Sequence, residues 1–310
     1  IRMQKKQTIA EAEVEKEKLN VDMYALNDRV NDLYFGILLL DEQIKQNTLL
    51  QDELERNYRQ ITAYVENGIA NQADLDAVKV EQLNTKQKRV DLVSSRAAYL
   101  KMLSLLVGEA LSPETVLEKP VPQSMVSAVS EIRRPELALF DAQGAGLQVQ
   151  EKALNVRHLP QFGLFVQGAY GNPGLDMLKN EFSPYYMAGV RLSWNFGSLY
   201  TLKNDRRVIE KKRQQLDNNR DVFLFNTRLE MTQQDQAIHS LEKQMRDDDE
   251  IIRLRTNIRK AAEAKVANGT LTVTEMLREL TNESLARQSK AMHEIQRLMG
   301  IYQLKYTIND

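Results

Sequence analysis

The chain has 310 residues, a formal net charge of −1 and no cysteine, which leaves no electrostatic case for a nucleic-acid partner and excludes disulfide and thiol chemistry. Its three histidines, His158, His239 and His293, stand far apart and match no metal-ligand spacing. Glycine and proline are scarce outside one central region, helix-favouring residues dominate elsewhere, and no apolar run approaches the ~20 residues of a membrane-spanning helix.

The first element carries Ile9, Ala12, Leu19, Met23, Leu26, Val30, Leu33, Ile37, Leu40, Ile44, Leu54, Tyr58, Ile61 and Val65 on one 3-4 alternation. A seven-residue repeat sustained this far predicts a left-handed coiled coil. A helix from near Lys5 to Val65 would be roughly 90 Å long, too long for a compact domain. Lys16, Asn47 and Gln51 are polar residues on the same seam. Asn47 and Gln51 either fix the register as buried polar groups or face a water-filled space. Asn67-Gly68 then supplies a C-terminal stop, because glycine accepts the left-handed conformation. Asn71 caps the next helix, with Asp74 three residues on. That helix runs to about Val107 through Leu75, Val78, Leu83, Val90, Val93, Ala97, Leu100, Leu103 and Leu106. Two long helices joined by so few residues must be antiparallel neighbours. Residues 1–107 therefore read as one long helical hairpin with its tip near 66–72.

Residues 108–134 form a connector, since Pro113, Pro120 and Pro122 break any helix. Pro135 opens a short helix within 135–160 that reaches about Arg157. A strand hairpin over 161–197 follows. In its first strand Phe162, Leu164, Val166 and Tyr170 alternate with Gln161, Gly163 and Gln167. After the turn-rich stretch 172–184, Tyr186, Ala188, Val190, Leu192, Trp194 and Phe196 face one way, and Tyr185, Gly189, Arg191, Ser193 and Asn195 the other. Such strands have the length of membrane-barrel staves, with Tyr170, Tyr185, Tyr186, Trp194 and Phe196 as interfacial aromatics. The pattern equally fits an amphipathic hairpin packed on the helices.

Residues 198–308 read as a second long helical hairpin with its tip near 267–273, and it is the first one repeated. A shift of 201 residues carries Val65 onto Val266, Asn67 onto Asn268, Gly68 onto Gly269 and Asp74 onto Glu275, and farther out Val21 onto Val222, Ile37 onto Ile238 and Gln87 onto Gln288. Thr272 with Glu275 spells a capping box. The seam of this second hairpin is less apolar, with Arg213, Asp217, Arg220, Arg255 and Arg259 at the equivalent positions. Asp247-Asp248-Asp249 reads as the solvated face of a charged helix. The fold class is mainly α with one β-hairpin: two long antiparallel coiled-coil helical hairpins in an internal repeat.

"RRPEL" at Arg133–Leu137, "RHLPQFGLFVQGAYG" leading into the first strand, and two Asn-Gly tips each followed by an acidic residue stand in an order and spacing that resembles the TolC-like outer-membrane efflux proteins over nearly the whole chain. The resemblance implies a homotrimer in the outer membrane and periplasm of a Gram-negative bacterium. In that family each protomer gives two such repeats, hence four strands, to one shared twelve-stranded barrel in outer-membrane lipid. The helices enclose a periplasmic tunnel closed at its tips, and a periplasmic adaptor protein and an inner-membrane transporter dock there. Drugs or other substrates exit unchanged, by efflux or type I secretion, so no catalytic residue, cofactor or metal is expected. The second repeat has a helix and strand hairpin before its long helix, whereas the first has no counterpart; about 65 upstream residues are expected to be missing. This chain then supplies two strands per protomer, too few to close the family's barrel.

The resemblance assigns a candidate gate at the tips. Asp74 and Glu275 match acidic tip positions of the family, while Val266 and Leu271 stand where it has a tyrosine and an arginine. An apolar contact around Val266 and Leu271 is expected to replace the ionic latch. The alternative is a coiled-coil periplasmic adaptor or scaffold, although such adaptors usually carry one helical hairpin flanked by compact β domains.

Overall fold

The computed structural model describes residues 2–121, 131–157, 159–172, 175, 178, 180–194 and 196–309. Pro122, His158, Asn195 and part of the 172–184 loop lie outside the described residues. The elements run α1 (Arg2–Glu66), α2 (Gln72–Val107), α3 (Pro135–Arg157), β1 (Gln161–Gly171), β2 (Ser183–Ser193), α4 (Ser198–Ala267) and α5 (Val273–Ile308). The fold class is the expected one, helical hairpins with, among the described residues, a single strand pair. No described helix is long and apolar enough to cross a membrane.

The internal repeat is exact at the level of elements. The shift of 201 residues carries both ends of α2 onto both ends of α5, and carries Gly108 onto Asn309. Each of these two residues closes its helix in the left-handed conformation, with φ of 75° and 62°. Glycine adopts it freely, and asparagine is the other residue that tolerates it.

The chain divides into two compact units, Ile1–Val21 with Pro135–Phe223, and Asp22–Arg134 with Leu224–Asp310. In the first unit α3 lies along the start of α4 through polar pairs. Arg220 contacts Asp141 at 3.0 Å and Arg213 contacts Glu151 at 2.8 Å. The Phe140 and Phe223 rings pack with centroids 5.9 Å apart. Of the four seam arginines of the second hairpin, Arg213 and Arg220 thus pair with α3. β1 and β2 form an antiparallel ladder from Gln161↔Ser193 to Gly171↔Ser183. β2 ends at Ser193, so Trp194 and Phe196, expected to continue its alternation, come after the strand. Their rings pack on each other with centroids 4.3 Å apart.

In the second unit the first hairpin is closed by Leu33, Ile37, Leu100 and Leu103. The seam of α2 differs from the expected one. Val78, Thr85, Leu92, Leu100 and Leu103 are buried, whereas Leu83, Val90 and Val93 are exposed. α2 carries two apolar stripes about 200° apart, since two residues separate Leu83 from Thr85, and α1 covers only one. Of the polar seam residues of α1, Asn47 and Gln51 serve register, while Lys16 is exposed and pairs with Glu13 of its own helix. Asn47 Nδ2 donates to the Thr85 carbonyl at 3.1 Å, and Gln51 Nε2 donates to Asn47 Oδ1 at 3.1 Å. The connector is strapped across this hairpin by Arg96, which pairs with Asp41 and donates to the carbonyls of Pro113 and Thr115 at 2.6 and 2.7 Å.

The second hairpin of this unit is joined by the apolar cluster of Met231, Ile238, Ile301, Leu304 and Ile308 and, between that cluster and the tip, by polar and ionic pairs. Glu242 pairs with Arg297, Asp248 with His293 at 2.9 Å, Asp249 with Lys290, and Arg255 with Glu279. Asp248 is therefore not on a solvated face, as its place in the Asp247–Asp249 run suggested; it is buried, with His293 across the interface. Toward the tip end of the ladder sits Glu283, only 2% exposed, which accepts from Thr256 at 2.7 Å, from Arg287 at 2.6 Å and from Arg259. Burial alone would raise the Glu283 pKa, but the hydrogen bonds from Arg287, Thr256 and Arg259 and the Arg259 charge hold it below the ordinary carboxyl value.

Replacing Glu283 with alanine takes one of two carboxylates from the part-buried Arg259, which keeps Glu263, and removes charge-assisted hydrogen bonds worth about 1.5–3 kcal/mol in chemical denaturation. A depressed carboxyl pKa adds stability above its unfolded value, near 4.5, and loses it as pH falls through the folded value. The parent should therefore lose stability below about pH 4.5 more steeply than Glu283→Ala does.

Candidate functional site

Both hairpin tips are built the same way. At the first, Asn67 Nδ2 donates to the Ala63 carbonyl at 2.7 Å, Gly68 takes φ of 72°, and the Ile69 amide returns to the Tyr64 carbonyl at 2.8 Å. At the second, Asn268 Nδ2 donates to the Ala264 carbonyl at 2.8 Å, Gly269 takes φ of 68°, and the Thr270 amide returns to the Lys265 carbonyl at 2.9 Å. This is the closure in which a left-handed glycine satisfies the last carbonyls of a helix.

Each acidic tip residue completes a capping box. Asp74 accepts from the Asn71 amide at 3.0 Å while its own amide donates to Asn71 Oδ1 at 3.1 Å. Glu275 accepts from the Thr272 amide at 3.2 Å and from the Thr272 hydroxyl at 2.8 Å. The Thr272 hydroxyl and then its amide hold the Glu275 carboxyl below the ordinary range. Both carboxylates also lie at helix N-termini, where negative charge is favoured.

The structure gathers the two tips around one apolar cluster. Leu54, Ile61 and Val78 of the first hairpin pack with Ala262, Val266, Val273, Met276, Leu277 and Leu280 of the second, and Leu271 packs against them. Val266 is thus buried within the chain and Leu271 half-buried at its edge. Asp74 and Glu275 sit at the helix starts beside this cluster, Glu275 fully exposed and Asp74 partly so. The resemblance pointed to the four residues, but not to the packing of Val266 between hairpins; an apolar residue at a helix end carries no signal of which helix covers it.

On the strand pair, register puts Phe162, Leu164, Val166 and Tyr170 on the face shared by Leu192, Val190, Ala188 and Tyr186. That face is not packed on the helices: Leu164 is 87% and Val166 80% exposed. Tyr185 lies on the other face, beside Gly171, and is half-buried. Tyr170, Tyr185 and Tyr186 mark the loop end of the hairpin, and Trp194 and Phe196 the end that leads into α4. A cleft of about 390 Å³ opens in the first unit, lined by residues such as Ala10, Val14, Gly146, Leu147, Lys212 and Leu216. No group of acidic and histidine side chains that would hold a metal ion occurs among the described residues.

No protein-family model matches the chain, and no curated protein matches it in sequence. Solved structures do match in fold. The outer membrane protein VceC from Vibrio cholerae superposes with a TM-score of 0.79 at 11% identity, over 99% of this chain and 75% of that one. CusC, whose structures concern folding and transmembrane channel formation, gives 0.78 at 16% identity, over 99% and 74%. The Campylobacter jejuni CmeC outer membrane channel gives 0.76 at 11% identity, over 99% and 67%. The chain therefore has the fold of these TolC-like outer-membrane channels, the fold its sequence resembles.

Thr272→Ala removes one half of the second capping box and should lower stability by about 1 kcal/mol, within the 0.5–2 range of such caps, in chemical denaturation. The carboxyl resonance of Glu275, followed by NMR titration, should move up toward the ordinary carboxyl pKa in the same variant. An unmoved titration would mean that the cap does not hold Glu275.

Proposed function

We propose that this chain belongs to a passive outer-membrane channel-tunnel, a conduit rather than an enzyme. It exports drugs or other substrates by efflux or type I secretion with a periplasmic adaptor and an inner-membrane transporter. On this reading it works as a homotrimer in the outer membrane and periplasm of a Gram-negative bacterium. The observation that carries the reading is the bare apolar face of β1 and β2 on a chain whose fold follows outer-membrane channels over 99% of its length.

The dimensions support it. Eleven paired residues span roughly 34 Å along a strand, which at a barrel tilt of about 40–45° gives a height of about 25 Å, the height of an outer-membrane apolar band. Aromatic residues at both ends of the hairpin fit girdles at the two interfaces, Tyr170 and Tyr186 at one, Trp194 and Phe196 at the other. The exposed stripe of Val80, Leu83, Val90 and Val93 on α2 is apolar surface of the kind a second copy covers. In this assembly Asp74 and Glu275 present carboxylates at the tips, and the cluster holding Val266 and Leu271 keeps the two tips together as one gate. The adaptor or scaffold alternative finds no comparable support, since the fold likeness to channels leaves no part of the chain aside.

Purified protein expressed from its full gene should insert into planar lipid bilayers and give discrete conductance steps, and Leu271→Asp should raise the leak between openings. A well-folded sample that never inserts would contradict the channel reading. A leak unchanged by Leu271→Asp would remove that residue from the gate.

A further inference from the structure

We propose that Arg191 tunes the ion preference of the conduit by fixing one positive charge per hairpin on the water-facing side of the barrel wall. The inference rests on the channel reading above. Arg191 is the only residue of either strand that is charged at neutral pH. Its register partner is Gly163, so it shares a face with Gln161, Gln167 and Ser193, opposite the exposed apolar face. In a membrane barrel the apolar face meets lipid and the polar face lines the lumen.

The guanidinium is positioned rather than loose. Phe165 pairs across the ladder with Gly189, and a Cβ at Gly189 would come within 2.9 Å of the Phe165 ring. The missing side chain is what lets the ring lie across β2. The Arg191 guanidinium stands over that ring, 5.4 Å from its centroid, a cation–π contact that holds the charge near the sheet. The third rung of the ladder, counted from Gln161↔Ser193, carries Arg191, so the charge stands near the end where the strands join α3 and α4. In a symmetric assembly these charges form a ring, a recurrent device by which pores distinguish ions. Its reach follows screening, about 3 Å at 1 M salt and about 30 Å at 0.01 M.

Reversal potentials across a tenfold KCl gradient in planar bilayers test this. Arg191→Gln should shift the chloride-to-potassium permeability ratio toward potassium by at least about twofold when the dilute side is near 0.01 M, and by much less near 1 M. Arg191→Lys should keep the parent ratio. Gln167→Glu, which adds an opposite charge to the same face, should shift the ratio as Arg191→Gln does, and it serves if Arg191→Gln does not insert. Ratios equal to the parent's in the two charge-changing variants, or shifts of the same size at both salt levels, would overturn the role of Arg191. A parent protein that never conducts would instead overturn the channel reading.

Discussion

The pairing of each long hairpin depends on one left-handed glycine at its tip. Gly68 and Gly269 end α1 and α4, the turn closes within five residues, and the next helix starts from a reciprocal cap. Because a helix turns by about 100° per residue, a turn placed one residue early or late would rotate the following helix out of its seam. Ile61 and Val78 would then no longer meet Val266 and Leu280 in the cluster that joins the tips. The asparagines before the glycines serve the same end, since Asn67 and Asn268 each bond a carbonyl of the last helical turn.

A duplicated architecture brings a difficulty. Two hairpins of similar length and common register offer one another's helices as wrong partners. The chain separates them by chemistry. α1 and α2 meet through aliphatic residues and through Asn47 and Gln51 bonded around the Thr85 carbonyl. α4 and α5 meet through Met231, Ile238, Ile301, Leu304 and Ile308 and, between that cluster and the tip, through the ladder from Glu242–Arg297 to Arg259–Glu283. An exchanged pairing would bury Glu283 or Arg259 against aliphatic side chains, which costs far more than the net gain from any native pair. The ladder is thus better understood as a choice of partner than as a source of stability.

Much of this was legible in the sequence because the signals are local. The Asn-Gly stops, the capping boxes and the two strand faces are patterns within a few turns or strands, and the 201-residue shift is the recurrence of such local patterns. The less legible parts depend on what covers a given face. Leu83, Val90 and Val93 repeat as regularly as a seam should, yet α1 covers the stripe with Thr85 and Leu92, and periodicity alone does not rank two stripes on one helix. Ile9, Leu19 and Met23 likewise continue the alternation of α1 but stay exposed. The Asp247–Asp249 run looked solvated because charge predicts exposure; its middle residue is buried only because His293 stands opposite from a position 45 residues on. At the candidate gate, sequence placed Asp74 and Glu275 at the helix starts, but the packing of Val266 between hairpins needed the tertiary structure.

The claim on which the rest stands is that the bare face of β1 and β2 meets lipid while the opposite face meets water. The chain has no native cysteine, so single cysteines at positions 162–170 can carry an environment-sensitive fluorophore without background. In reconstituted vesicles, labels at Leu164→Cys and Val166→Cys should be quenched by lipid-borne nitroxides, and labels at Phe165→Cys and Gln167→Cys by a water-soluble quencher, in strict alternation along the strand. Equal access of the aqueous quencher to all four positions would contradict the account.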